Sequence, residues 1–422
     1  MGNQQTGTAD ATLRIREIGA GIEEDIIALR RYFHQHPELG AHEVETSAYV
    51  RARLDKMRVP YRLVRGKRPF PAEDGREDFI GTGIIATIRG TAPGAYDGEG
   101  KPTRCIALRT DMDALPITER TEVPYASANE GVMHACGHDC HMAMMLGAVR
   151  ILSEMRDRLR GEVRIIFQPA EEISIGARDM IAAGALDGVD AIYGAHIWSE
   201  VDAGIISCEA GPRMANTDWF RIDIEGVSAH GSMPHKGVDA IVVAAEVIDS
   251  LQVIVSRRTS PFEPVVITVG EVHGGTARNI MAGSVYLTGT LRTWHRATRE
   301  KMIDRMERAA GKVSHAFGAN ISFSFEEGNP GVSNDEECAA VASRAVVEVL
   351  GQDALGSYEG TLAGEDFAEY LQHVPGVFVF VGTNNPDIGA VHPQHSCYYT
   401  IDESVLAKGS MVAAQWACDM LE

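Results

Sequence analysis

The sequence predicts an α/β protein: a mixed, largely parallel sheet flanked by helices, interrupted by an inserted α+β domain of ferredoxin-like order. Three observations carry this expectation. At 422 residues the chain is too long for one ordinary core, since domains run to roughly 100–200 residues. Between residues 83 and 196, short β-rich runs alternate with helical runs, the pattern of strands covered on both faces by crossover helices. From about Asn216 the order changes to β-α-β-β-α-β, that of split βαβ units.

Taken in order, residues 22 to 57 carry helical periodicity, and a polar, Pro- and Gly-rich stretch from about Gly66 to Glu77 reads as a surface loop. The runs GIIATIRG (83–90) and RCIALRTD (104–111) read as buried strands, followed by a helix from His141. EVRIIFQPA (from 162), a short helix and DAIYGAH (190–196) extend the sheet. The second domain is read as strand DWFRIDIEG, a helix over about 238–257, strand VVITVGEV, a turn at Gly274-Gly275, strand SVYLTGTLRT, a helix over about 297–317 and strand ISFSFEEG. Helices and an apolar strand, GVFVFVG (376–382), then return to the first sheet. The expected organisation is a first domain in two parts, 1–212 and 330–422, with the insertion at 213–329.

Composition narrows the function. Lys plus Arg (39) against Asp plus Glu (59) leaves a formal charge of −20, which would repel a nucleic acid, and 45% hydrophobic with 23% charged residues is a soluble globular composition. No apolar run reaches the roughly 18–20 residues of a membrane span, and no basic-then-apolar leader is present. Seven thinly spread cysteines argue against a disulfide framework and for a reducing compartment, so a cytoplasmic protein with a small-molecule substrate is expected.

The chemistry concentrates at strand ends. His134, Cys136, His138, Asp139 and His141 fall within eight positions before an apolar helix, a thiolate-plus-imidazole set suited to a transition metal. A redox or core cysteine beside surface histidines is the bland alternative. Strand IIFQPA ends in Glu171-Glu172, where two desolvated carboxylates would repel unless a cation resolves the conflict. Adjacent side chains diverge, so one can coordinate while the other acts as base; a solvated helix start is the alternative. His196 ends strand DAIYGA, and His392 and His395 follow another strand. Asp111 and Asp113, after strand RCIAL, fit a ligand pair, an orienter of a histidine ligand or a turn, of which the orienter is favoured. No G-x-S-x-G elbow and no phosphate loop is found.

Across nearly its whole length the chain resembles the M20 metallopeptidase and amidohydrolase family, in the N-acyl-amino-acid amidohydrolase branch that includes hippurate and auxin-conjugate hydrolases. The matching segments are FHQHPELG, RTDMDALP, HACGHD, FQPAEE, GAHIW, SAHGSMPH, GGTARNIM, GTLRT and GEDF, in that order. The resemblance implies that Cys136, His138, Glu172, His196 and His395 hold two divalent metal ions, zinc or manganese with cobalt or nickel also compatible, and that Cys136 bridges them. It implies further that Glu171 is general base to a metal-bound water in hydrolysis of an N-acyl or N-aroyl amino acid. His230 would help hold the oxyanion from the inserted domain, often across a dimer; Asp113 belongs with the catalytic residues. His235, Arg278 and Asn279 are candidate substrate-binding residues, Arg278 because guanidinium matches carboxylate bidentately. The inserted domain is expected to be a lid that forms a homodimer.

Two other readings stand beside this one. A dipeptidase or aminopeptidase of the same superfamily would require a free α-amine on its substrate, and a catalytically idle binding protein would need neither a base nor metal ligands. The chain departs from the family pattern at Ile173-Ser174-Ile175, at Cys397-Tyr398-Tyr399 and before Glu365, positions that bear on pocket shape rather than on the ligands.

Overall fold

The computed structural model describes residues 2–64 and 81–422, with side chains from residue 10 onwards; the expected loop of Gly66 to Glu77 lies outside the described residues. The chain forms two compact units. One comprises Met1–Gly211, Ser333–Glu359 and Glu369–Glu422, the other Pro212–Val332 and Gly360–Ala368.

The first unit is built on a seven-stranded sheet ordered Tyr61–Leu63, Ile84–Arg89, Glu162–Gln168, Cys105–Asp111, Ala191–Asp202, Gly376–Asn384, Ile206–Ser207. The four central strands from Glu162–Gln168 to Gly376–Asn384 run parallel, and the flanking strands pair antiparallel. Cys105–Asp111 is buried at every position, which explains its continuous apolar run. Helices His138–Glu154, Glu336–Leu350 and Leu406–Met420 pack in one core with the strands. Strand register sets Asp111 opposite Gln168, Arg109 opposite Gly194 and Phe380 opposite His196, so the carboxyl ends of the parallel strands deliver their polar residues at one level.

Three elements differ from expectation. The strand expected over 190–196 runs on as Ala191–Asp202, paired with Gly376–Asn384 beyond His196, so His196 lies within the strand rather than at its end. The 22–57 periodicity resolves into helices Glu23–Gln35 and Val44–Lys56, because Pro37 supplies no N–H and restricts His36, ending the first helix. The helix expected from His141 begins at His138, because Gly137 takes a left-handed turn (φ 92) into its first turn. A side chain at Gly137 would also collide with Ile197, 2.4 Å from the position of a Cβ, so glycine is required there on both counts.

The second unit has a four-stranded antiparallel sheet ordered Asn320–Glu327, Asn216–Glu225, Ser284–Thr293, Val265–Gly274. Helices Ala240–Arg258 and Arg296–Ala316 cover one face through Val243, Val247, Leu251, Met302 and Met306, packed in one core with Ile222 and Leu287. Inside this ferredoxin-like arrangement Arg299 grips Asp218 bidentately at 2.7 and 2.8 Å.

Candidate metal centre

The left-handed Gly137 lets Cys136 and His138, on either side of it, project towards one region of the first unit. Cys136 Sγ lies 3.5 Å from His196 Nε2. His196 donates from Nδ1 to its neighbour's carbonyl, Ile197 O, at 2.6 Å, which leaves Nε2 with its lone pair towards the thiol. This is the tautomer a ligand requires.

Glu171 and Glu172 follow Ala170, which takes a left-handed φ of 55 just past the end of strand Glu162–Gln168. Asp113 secures the turn: Oδ1 accepts the Glu171 N–H at 3.1 Å and Oδ2 the Glu172 N–H at 3.0 Å. Asp113 Oδ1 also stands 3.3 Å from His138 Nδ1.

The donor atoms fall into two trios, Cys136 with His138 and His196, and Cys136 with Glu172 and His395, each within 4.8 Å. Glu171 groups within the same distance with His138 and Glu172. His138 Nε2 and Glu172 Oε1 are buried with no hydrogen-bond partner among the described residues, yet face each other at 3.8 Å; Glu172 Oε1 is 3.6 Å from His395 Nε2. Both separations are too long for hydrogen bonds; that between Glu172 and His395 fits two donors that would meet at one ion through bonds of roughly 2.0–2.3 Å, and that between His138 and Glu172 joins one trio to the other. The donor set therefore fits two cations sharing Cys136.

Electrostatics agree. Burial pushes the Cys136 thiol well above its ordinary range, and Glu172, Glu171 and Asp111 add to it. Burial likewise raises Glu172 to about 7. Burial would depress His138, but Asp111, Asp113 and Glu172 outweigh it and hold the imidazole up at about 10. Protons thus occupy positions that cations would take, and their release on binding is what a divalent ion supplies to such a cluster.

Other residues of the sequence cluster have different partners. His141 donates from Nδ1 to Asp111 Oδ1 at 2.7 Å and accepts the Ile197 N–H on Nε2 at 2.9 Å, so both nitrogens are engaged. Asp111 also takes Arg109 at 2.8 Å. Asp139 turns to Arg30 and His34, both at 2.8 Å. His134 is buried, and burial lowers it to about 4. His392 is exposed beside Tyr398, 5.5 Å between rings, and belongs to neither trio. Sequence reasoning missed the structural use of His141, because its partner Asp111 lies 30 residues away.

His230, His235, Arg278 and Asn279 belong to the second unit and are all exposed. Two loops meet there: His230 bridges Ile280, and Gly231 N–H donates to Asn279 O at 2.9 Å. Ser232 engages His230 Nδ1, with its N–H at 3.2 Å and its hydroxyl oxygen at 2.8 Å.

Residues 107–419 match the family Peptidase family M20/M25/M40. The chain is 37% identical to N-acetyl-L-cysteine deacetylase of Bacillus subtilis, over 95% of this chain and 89% of that one. It is 40% identical to N-acyl-L-amino acid amidohydrolase of Geobacillus stearothermophilus, over 76% and 81%. Among solved structures it resembles the Bacillus subtilis YXEP protein, a dinuclear metal binding peptidase from M20 family, with a TM-score of 0.80, 34% identity, and 95% and 99% of the two chains covered.

Proposed function

The chain belongs to peptidase family M20/M25/M40, and from that premise we propose that it is a metal-dependent amidohydrolase that splits N-acyl amino acids into a carboxylic acid and a free amino acid. The observation that carries the reading is the pair of donor trios sharing Cys136, with Glu171 beside them.

Cys136, His138 and His196 would hold one divalent cation, and Cys136, Glu172 and His395 the other, zinc or manganese with cobalt or nickel also compatible with such a mixed set. When bound, the cations supply Lewis acidity, polarising the scissile carbonyl and making water acidic enough to lose a proton near neutral pH. Glu171 takes that proton and returns it to the leaving amine, so one carboxylate serves as base and then as acid. Asp113 holds the Glu171 and Glu172 amides, fixing the backbone from which both carboxylates depart. His230 would donate from Nε2 to the oxyanion, a role supported by the Ser232 N–H at its Nδ1. Arg278, Asn279 and His235 are assigned to the substrate's carboxylate and carbonyl.

The working form in this reading is a homodimer formed through the second unit, in the cytoplasm. All seven cysteines are free, which supports a reducing compartment. No helix among the described residues is long and apolar enough to cross a membrane.

Reconstitution with zinc or manganese, followed by a panel of N-acetyl, N-benzoyl and longer N-acyl amino acids alongside free dipeptides, tests the reading. Turnover of blocked substrates that chelation abolishes and a divalent ion restores is expected. Turnover confined to substrates with a free α-amine makes the chain a peptidase, and full activity in metal-free protein removes the metal-dependent mechanism.

A further inference from the structure

Glu43 lies fully buried where the Val44–Lys56 helix begins, and belongs to neither donor trio. Its Oε1 accepts two backbone N–H groups, from Ala41 at 3.0 Å and from Ala170 at 2.8 Å, while Oε2 takes the Thr82 hydroxyl at 2.7 Å. Both alanines sit in the left-handed region, at φ 67 and φ 55. Left-handed backbone is unfavourable for a residue with a Cβ and persists where surrounding contacts over-determine it. Here one carboxyl oxygen supplies a contact to each of two such residues, which lie far apart in sequence.

The Ala170 amide is the first of three in succession. Glu43 takes it, and Asp113 takes those of Glu171 and Glu172. Two buried carboxyl groups thus hold the segment from which both acidic side chains depart. Setting a second buried acid near Asp113 is electrostatically unfavourable: burial, reinforced by Asp113, pushes Glu43 up to about 8. Both N–H groups fall on one oxygen, so the position of that acceptor is what the geometry of this site uses.

We propose that Glu43 is the positioning residue of the acidic pair: by holding the Ala170 amide it fixes the left-handed backbone there, and with it the point from which the Glu171 and Glu172 side chains depart. The proposal rests on reading Glu171 as the base and Glu172 as a metal ligand. It separates Glu43 from ordinary helix capping, because one of its bonds ends at the catalytic turn and the other, on the same oxygen, does not.

That asymmetry supplies the test, run on cation-loaded full-length protein. Glu43→Leu removes both acceptors; Glu43→Gln keeps an oxygen for the amides and an NH2 for Thr82. Each is followed by kcat and KM on an N-acyl amino acid, by zinc affinity against a chromogenic chelator, and by Tm. Expected for Glu43→Leu is a loss of roughly 10–100-fold in kcat or zinc affinity with KM within about three-fold, the scale for removing an outer-shell support. Glu43→Gln should stay within about three-fold of wild type. In the Leu background, Ala170→Gly should recover at least about five-fold of the loss, because glycine adopts positive φ freely. Ala41→Gly, relieving the same strain away from the site, should recover Tm without recovering kcat.

Wild-type kcat and zinc affinity in Glu43→Leu would overturn the proposal, as would equal rescue of kcat by the two glycines, which marks a merely structural role. Equal losses in Gln and Leu would overturn the claim that acceptor position matters. Should Glu43→Leu fail to fold, Glu43→Asp, whose oxygens are withdrawn by one methylene, takes its place in the same backgrounds. Absence of cation-dependent hydrolysis by the wild-type chain would remove the functional reading instead; zinc affinity across the same variants then decides the role of Glu43.

Discussion

His138 Nδ1 stands 3.3 Å from Asp113 Oδ1, with both side chains fully buried. The imidazole is thereby turned so that Nε2 faces Glu172 Oε1, 3.8 Å away. The same aspartate accepts the two amides of the acidic pair, so a single carboxylate orients one metal-type ligand and the turn bearing another.

Asp113→Ala should therefore lower divalent-cation affinity by roughly 10–100-fold, with kcat falling as Glu171 loses its fixed backbone. Competition against a chromogenic chelator measures the first effect, and steady-state kinetics at saturating cation the second. Wild-type affinity in this variant would mean that packing alone orients His138.

The two members of the acidic pair should fail differently. Glu171→Gln is expected to retain cations yet lose turnover by at least roughly 10²-fold, because a base must change its protonation state. Glu172→Gln should release cations, because a ligand in this cluster must contribute negative charge. Elemental analysis after desalting, paired with turnover, separates the outcomes, and equal cation loss in both would show the roles wrongly divided.

Much of this arrangement was legible in sequence because it obeys local rules. The parallel strands announced themselves as continuous apolar runs, the Glu-Glu pair fell just past the end of one, and the Cys-x-His pair fell where an apolar helix begins. Glu43 was not legible. Its partners Thr82 and Ala170 lie 39 and 127 residues away, and alanine carries no sequence signal for positive φ. The use of His141 was hidden for a related reason: the helix starts at His138, so His138 and His141 share its first turn, and strand pairing brings Asp111 to the latter. Tertiary pairing decides such positions, and no periodicity reports it.

Stability should depend on pH through Asp419, far along the chain from the ligands. Burial, with Glu348 and Glu422 nearby, raises this carboxyl from 3.8 to about 7, although Gln415 donates to it at 2.7 Å. Its position at the C-terminal end of the Leu406–Met420 helix is also unfavourable for a negative charge. The folded state holds the proton more tightly, so the contribution is fully present below 3.8 and is lost as pH rises to about 7. Asp419→Asn should leave Tm near that of wild type at pH 4 and raise it by a few degrees at pH 8. A constant difference across that range in thermal melts would show that Asp419 titrates normally.

The last prediction concerns His230 of the second unit, whose Nδ1 is engaged by Ser232, 3.2 Å from its N–H and 2.8 Å from its hydroxyl oxygen. In the proposed reaction its Nε2 would donate to the developing oxyanion, so His230→Ala should reduce kcat by roughly 10²–10³-fold while cation content stays at the wild-type level. Truncating a loop histidine with no part in the reaction would leave kcat nearly unchanged, and that result would remove the second unit from the chemistry. His230→Gln supplies an intermediate, since an amide N–H can still donate to an oxyanion, and partial recovery of kcat relative to alanine is expected. The same variants ask whether the residue serves its own chain. Mixing His230→Ala protein with Glu171→Gln protein creates assemblies in which one protomer lacks the donor and its partner lacks the base. If the histidine acts across a dimer, a mixed dimer pairs the intact Glu171 of one protomer with the intact His230 of its partner and recovers activity that neither variant has alone. If it acts within its chain, every protomer remains defective and mixing restores nothing. Subunit exchange followed by turnover on a blocked N-acyl substrate distinguishes the two, with size-exclusion chromatography establishing that mixed dimers have formed.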